Sequence, residues 1–199
     1  MERICVATSR SREYYSLVSR LRKAGLAFTS LVPGSDYLPC DLVLTTAAEA
    51  KEYGVRALPA EELDENPFVL KGQVLSRLSG ASETLLIGVD PGTRIGIAVF
   101  YGEAALEFVT FDSVEDLCAE VGVFAERVPV KRSIVRIGNG NPVLALKLAS
   151  FLMKAVPRSG IEIVDEAGTS SRGVRMKGVQ GDQRAAAKIA FRKGVAFAP

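Results

Sequence analysis

Three acidic positions in the second half of the chain could together bind a divalent cation. Asp90 and Glu166 each follow a short apolar run, with Asp165 next to the latter, and Asp182 precedes an alanine-rich segment. Carboxylates that converge repel one another unless they share protons or bind a cation. Their hard oxygen atoms favour Mg²⁺ or Mn²⁺. Two such ions about 4 Å apart can generate hydroxide and stabilise the leaving oxygen in phosphodiester hydrolysis.

Histidine is absent from the chain. This excludes a Ser-His, Cys-His or His-metal mechanism within the chain, whereas a cation held by carboxylates needs no histidine. Each acid also has a simpler interpretation. Asp90 could nucleate a turn before Pro91 and Gly92, Asp182 could cap a helix, and Glu166 could be a solvated loop residue.

Strand and helix signals in residues 81–199 predict the elements that must position these acids. The order is β-β-β-α-β-α-β-α, which indicates a mixed sheet with helices packed against it. The predicted strands are 85–89, 95–100, 106–111, 133–137 and 161–164, and the predicted helices are 113–126, 143–156 and one beginning at about 182. Asp182 shares the apolar stripe of its helix with Ala185 and Ala186, so we expect it to face the sheet. Asp165 is the weaker candidate because successive strand side chains point to opposite faces.

Residues 1–80 predict a separate small α/β domain with a mostly parallel sheet. The predicted strands are 4–7, 26–32, 41–45 and 55–58, and the predicted helical segments are about 14–24, 47–53, 59–63 and 68–78. Small and polar residues at 78–83 place the domain boundary there, which gives domains 1–80 and 81–199. The first domain could bind a partner, form a dimer or contact nucleic acid.

A resemblance to a known family rests on four segments in chain order. Residues 87–99 (IGVDPGTRIGIAV) resemble the first hairpin of the RNase H-like superfamily in its RuvC/YqgF branch, where a strand ends in Asp and Pro-Gly-Thr follows. Residues 165–170 resemble the Asp-Glu-Arg-x-Thr-Thr segment of YqgF-like proteins, and residues 182–190 are similar to their closing Asp-x-x-Ala-Ala helix. Residues 134–140 fit the Gly-rich end of their fourth strand. The resemblance spans about residues 84–193 and implies an RNase H-like mixed sheet.

What the resemblance implies for function is a metal-dependent nuclease that acts on structured DNA or RNA. Asp90, Glu166 and Asp182 then take the places of the metal ligands and catalytic residues, with Mg²⁺ or Mn²⁺ as cofactor. Two departures concern the same site. Residues 136–139 offer no Glu at the end of the fourth strand, which favours a YqgF-like protein over a true resolvase. Ala167 replaces the Arg of the Asp-Glu-Arg segment.

The charge distribution indicates a surface for a polyanion near these acids. Residues 127–199 contain fourteen basic and four acidic side chains, whereas residues 81–126 contain one basic and nine acidic. Basic side chains in the last helix and in the loop before it could contact a phosphate backbone, which would make binding depend on salt. The candidate nucleic-acid-binding residues are Thr93, Arg94, Asn139, Arg172, Arg175, Lys177, Arg184 and Lys188.

Cysteine content and hydropathy predict the compartment in which the protein is found. Three cysteines far apart in the sequence make a disulfide framework improbable and a reducing cytoplasm the default. No apolar run approaches the ~20 residues of a membrane span, and a homodimer is possible.

Two alternative functions stay open. One is a non-catalytic nucleic-acid-binding scaffold with an RNase H-like domain. The less favoured one is an ATP-dependent phosphotransferase, because Asp-x-Gly-Thr also occurs in the sugar-kinase and actin-like superfamily.

Overall fold

The computed structural model describes residues 3–34, 40–165 and 181–198. The chain divides into two compact units, Met1–Ala81 and Ser82–Pro199, named here unit 1 and unit 2. The division falls one residue after the boundary that the sequence predicts.

Unit 1 contains a four-stranded sheet in which every paired strand is parallel to its neighbour. The elements of unit 1 are β1 (Ile4–Val6), α1 (Ser11–Lys23), β2 (Thr29–Ser30), β3 (Leu42–Thr45), β4 (Ala57–Pro59) and α2 (Pro67–Ser79). The strand order in the sheet is β2-β1-β3-β4. The predicted parallel α/β sheet is therefore confirmed.

The two helices of unit 1 form where local signals agree with burial. In α1, Leu17 and Leu21 lie one turn apart and are fully buried. Asn66 caps the start of α2, and its side-chain oxygen accepts a hydrogen bond from the Phe68 backbone at 2.9 Å. Gly80 caps the end of α2 and adopts a φ of 65° that favours glycine.

Four predictions for unit 1 were wrong in length or type. The strand expected over 26–32 is limited to β2. The helix expected over 47–53 is reduced to a three-residue 3₁₀ turn, Ala50–Glu52, and that expected at 59–63 to another, Ala60–Glu62. A third turn, Gly54–Arg56, takes the first part of the strand expected over 55–58, so that β4 begins only at Ala57. Gly54, with a φ of 58°, and Pro59 interrupt helical structure in this region, so no segment is long enough for an α-helix to propagate.

The sequence spacing disfavours a disulfide framework, yet one disulfide is present: Cys5 and Cys40 are bonded, with their Cα atoms 5.9 Å apart. The two cysteines are 35 residues apart in the sequence, and the fold brings them next to each other. Cys5 pairs with Val43 across the β1–β3 ladder, and Cys40 lies just before β3. Cys118 is the free cysteine. The cytoplasmic location depended on the expected lack of a disulfide framework and stays a prediction.

Unit 2 contains a six-stranded mixed sheet. Its elements are β5 (Thr84–Asp90), β6 (Ile95–Tyr101), β7 (Ala104–Phe111), α3 (Val114–Arg127), β8 (Arg132–Gly138), α4 (Pro142–Ala155), β9 (Gly160–Val164), α5 (Gly181–Ala190) and β10 (Val195–Ala196). The strand order is β10-β9-β8-β5-β6-β7. Strands β5, β8 and β9 are parallel, whereas β6 is antiparallel to both of its neighbours and β10 is antiparallel to β9. The predicted element order and mixed sheet are confirmed, and β10 is an additional strand that the sequence did not indicate.

Helices cover both faces of this sheet. Phe108 packs in a cluster with three alanines of α5, whereas Glu107, the preceding residue on β7, is hydrogen-bonded to Glu120 of α3. Because successive strand side chains point to opposite faces, α5 and α3 lie on opposite sides of the sheet. Among the described helices, none combines the length and the hydropathy needed to cross a membrane.

Candidate metal site in unit 2

Glycines on the face of β5 and β6 allow the backbone of α5 to lie directly against the sheet. A Cβ atom at Gly88 would overlap the carbonyl oxygen of Ala186 and lie 2.7 Å from the amide nitrogen of Ala190. A Cβ atom at Gly96 would lie 2.6 Å from the carbonyl oxygen of Asp182. Cβ atoms essentially never approach backbone this closely, so only glycine fits at these two positions.

The same contact brings Asp182 next to Asp90. Asp90 and Gly96 are directly opposite in the β5–β6 ladder, so a Cβ at Gly96 would share a face with the Asp90 side chain. The Asp182 Cβ lies 3.1 Å from that position. Since opposite Cβ atoms are about 4.5–5.5 Å apart, the Cβ atoms of the two aspartates are at most about 9 Å apart. Two candidate metal ligands that are distant in sequence therefore lie near each other at the start of α5.

Their surroundings differ. Asp90 is half-buried at the carboxyl end of β5, whereas Asp182 is exposed in the first turn of α5. The positive end of a helix dipole favours nearby negative charge, so the start of α5 is a favourable place for both carboxylates. Such oxygen donors fit a hard divalent cation, and the exposure of Asp182 would leave a cation bound there accessible from solvent.

Glu166, the third candidate ligand, lies outside the described residues. Strand β9 carries the chain to the same edge of the sheet, because the Asp90, Gly138 and Val164 positions are level across β5, β8 and β9. Neighbouring strands are about 4.8 Å apart, so Val164 and Asp90 are separated by roughly 10 Å. Within the described part of the chain there is no group of three or more residues that could hold a metal ion. The three-carboxylate site thus stays a prediction. The structure places two of its candidate ligands, Asp90 and Asp182, near each other.

Several predicted nucleic-acid contacts are exposed in unit 2. Arg184 and Lys188 are four residues apart on the solvent-facing side of α5, and Thr93 is exposed in the turn after Asp90. Arg94 is also exposed, and its Nε atom lies 3.2 Å from Asp112 in a surface ion pair. The candidates Arg172, Arg175 and Lys177 lie outside the described residues.

Asn139 is held at the end of β8. Its backbone N–H donates to the carbonyl oxygen of Val164 at 3.0 Å, which extends the β8–β9 ladder by one hydrogen bond. The side chain that caps α4 is instead that of Asn141, which accepts from the Leu144 backbone at 3.1 Å. Asn139 is half-buried at the same sheet edge as Asp90.

An ion pair that the sequence did not indicate lies on the α5 face of the sheet. The Arg136 Nε atom donates to the Glu162 carboxylate at 2.8 Å, and its Nη1 atom donates to the carbonyl oxygen of Ala190 at 2.7 Å. Both side chains are mostly buried, at 13% and 16% exposure. The sequence shows Arg136 and Glu162 as charged residues within apolar strands. Their pairing could not be predicted, because it depends on the register of β8 against β9.

A cavity among the described residues of unit 2 lies away from the candidate carboxylates. It has a volume of about 650 Å³ and is lined by the ends of α3 and α4 and by Ser133 at the start of β8. Since β8 runs parallel to β5, this cavity is at the opposite edge of the sheet from Asp90. It has no part in the carboxylate site.

Comparison of the chain with protein-family models and with curated proteins gives no match. The family resemblance therefore continues to rest on its motifs.

Proposed function

We propose that this protein is a divalent-metal-dependent nuclease whose unit 2 is an RNase H-like domain of the RuvC/YqgF type. The observation that supports this most is the contact of Asp182 with Gly96 directly opposite Asp90, which brings two motif aspartates together across 92 positions of sequence. The observed order of strands and helices in unit 2 agrees with what the resemblance implies. The substrate class is structured DNA or RNA.

Asp90, Asp182 and Glu166 would hold Mg²⁺ or Mn²⁺ at the carboxyl edge of β5 and β9. When bound, the metal supplies an activated water and charge stabilisation for phosphodiester hydrolysis. The half-buried carboxylate of Asp90 would hold that cation from the sheet, and the exposed carboxylate of Asp182 would add a second ligand from the helix. Arg184 and Lys188, on the same helix as Asp182, would contact phosphates of the substrate backbone.

Cleavage of branched and structured nucleic acids with Mg²⁺ or Mn²⁺ tests this proposal. Asp90→Asn keeps the size of the side chain but removes its charge, so we expect the variant to lose cleavage while it still binds nucleic acid. The matched control is Glu103→Gln, which removes an exposed carboxylate from the turn at the other end of β6. Equal cleavage by wild type and Asp90→Asn would refute the catalytic assignment.

One observation favours the non-catalytic alternative. The α5-facing positions at the end of β8 are Arg136 and Gly138, so β8 contributes no carboxylate next to Asp90 on that face. A scaffold protein with this domain would bind nucleic acid in a salt-dependent manner and cut none of the substrates.

A further inference from the structure

The Arg136 side chain connects three elements of the candidate site. It reaches Glu162 on β9 at 2.8 Å and the carbonyl oxygen of Ala190, the last residue of α5, at 2.7 Å. Glu162 also accepts from the backbone N–H of Gly194 at 3.3 Å, in the segment that follows α5. One guanidinium thus links β9, the strand before Glu166, to α5, whose first turn contains Asp182.

The surface under α5 leaves part of its position to such an anchor, because Gly88 and Gly96 offer no side chains into which the helix could interlock. Phe108 packs against alanines of α5, and the Gln183 side chain donates to the Phe108 carbonyl at 3.4 Å, so the Arg136 anchor acts together with these contacts. The contact between the rings of Phe100 and Phe191, at 4.7 Å, also lies at the far end of the helix. Position along the strands decides how close Asp182 comes to Asp90.

The chemistry of Arg136 suits an anchor at this place. Carbonyl groups in the last turn of a helix lack partners within the helix, and a cation there also interacts favourably with the helix dipole. Charge-assisted hydrogen bonds of a mostly buried guanidinium have restricted geometry. A helix of ten residues is rigid, so a restraint at Ala190 is transmitted to Asp182 at the other end.

We propose that Arg136 is a positioning residue that sets where Asp182 lies relative to Asp90, and thereby the affinity of the site for its metal ion. This inference rests on the proposed function, because its first test measures binding of a metal ion at the proposed site. Arg136 itself would contact neither the substrate nor the metal ion.

The test compares Mn²⁺ affinity, measured by calorimetry, at a temperature where every variant is folded. We expect Arg136→Gln to weaken Mn²⁺ binding about 10-fold, the lower end of the range for residues that orient metal ligands. Arg136→Lys keeps the charge and should recover part of the affinity. Arg132→Gln, an exposed change on the same strand, should leave Mn²⁺ affinity unaltered. A lower melting temperature with unchanged Mn²⁺ affinity would show that Arg136 only stabilises the fold.

Hydrogen exchange separates this inference from the proposed function. If wild type binds no Mn²⁺, the proposed function fails, and exchange of the α5 amides still reports on the anchor. We expect Arg136→Gln to accelerate exchange along the whole of α5, including the turn that contains Asp182. Acceleration confined to the last turn, next to Ala190, would overturn the positioning role. Should Arg136→Gln fail to fold, Arg136→Lys and Glu162→Gln provide the same two measurements.

Discussion

In unit 1 a disulfide packs on one face of the parallel sheet, whereas in unit 2 the backbone of helix α5 lies directly against glycines of the sheet. In unit 1 the Cys5–Cys40 bond joins a cluster with Val43 and Tyr53, and long side chains from α1 and α2 fill the other face. In unit 2 the residues between α5 and the sheet are mainly glycine and alanine. The second arrangement places backbone and short side chains close together, which suits a site made by a strand end and a helix start.

The two units also treat a partly buried carboxylate in opposite ways. Glu49 in unit 1 accepts four hydrogen bonds, two from Ser9 and one each from the hydroxyl groups of Thr8 and Thr46. Although desolvation acts in the other direction, these hydrogen bonds lower the pKa of Glu49 to about 2. In unit 2, burial and the neighbouring carboxylate of Glu120 raise the pKa of Glu107 to about 7. Donors therefore favour the charged form in unit 1, while a like charge disfavours it in unit 2.

The largest expected effect is loss of the disulfide. A bond that closes 35 residues stabilises unit 1 by about 4 kcal/mol in the chain-entropy description. We expect Cys5→Ala with Cys40→Ala to lose about that much stability in unit 1 and little in unit 2, as measured by urea unfolding with hydrogen exchange read for each unit. Cys118→Ala is the matched control in unit 2. An effect of the same size in both units would show that they do not unfold separately.

The next effect is expected from a methyl group added under α5. Gly88→Ala forces α5 away from the sheet and should destabilise unit 2 by about 3 kcal/mol, the upper end of what overpacking usually costs. Gly122→Ala, in α3 with no atom within 4 Å of the new methyl, is the control and should stabilise unit 2 by up to about 1 kcal/mol. Thermal unfolding of both variants is the measurement. A tolerated Gly88→Ala would mean that the small residues are not needed for this packing.

The smallest effect is an opposite pH dependence of the two units. The folded pKa of Glu107 is raised, so its stabilisation of unit 2 is complete below about pH 4.5 and is lost as pH rises through about 7. The folded pKa of Glu49 is lowered, so its stabilisation of unit 1 is present above about pH 4.5 and is lost as pH falls toward 2. Both groups are partly exposed, and solvent screening should limit each effect to about 1 kcal/mol.

Urea unfolding midpoints across pH, read for each unit, measure this contrast. Glu107→Gln should remove the decline of unit 2 between pH 4.5 and 7, and Glu49→Gln should remove the acid-side decline of unit 1. Midpoints that fall in the same direction for both units would contradict the assignment of the two carboxylates.

Local signals were sufficient for much of unit 2. The apolar runs around 85–111 predicted the strands β5, β6 and β7. The helix expected from 113 forms as α3, and Ser113 caps it by accepting a hydrogen bond from the Asp116 backbone at 3.0 Å. The same signals failed around 47–63 in unit 1, where glycine and proline divide the chain into single turns. Helix propensity in a short segment is too weak to decide its structure without packing.

The amino-acid sequence by itself determined the order of the elements and the acids that end or begin them, since strand and helix periods and caps depend on residues a few positions apart. The tertiary structure decided which distant residues come together: Cys5 with Cys40, Arg136 with Glu162, and Asp182 with Gly96, which pairs with Asp90 across the β5–β6 ladder. These contacts follow from strand register and from the seating of α5 on glycines. Both are set by packing across 26 to 92 residues of sequence, which no local pattern encodes.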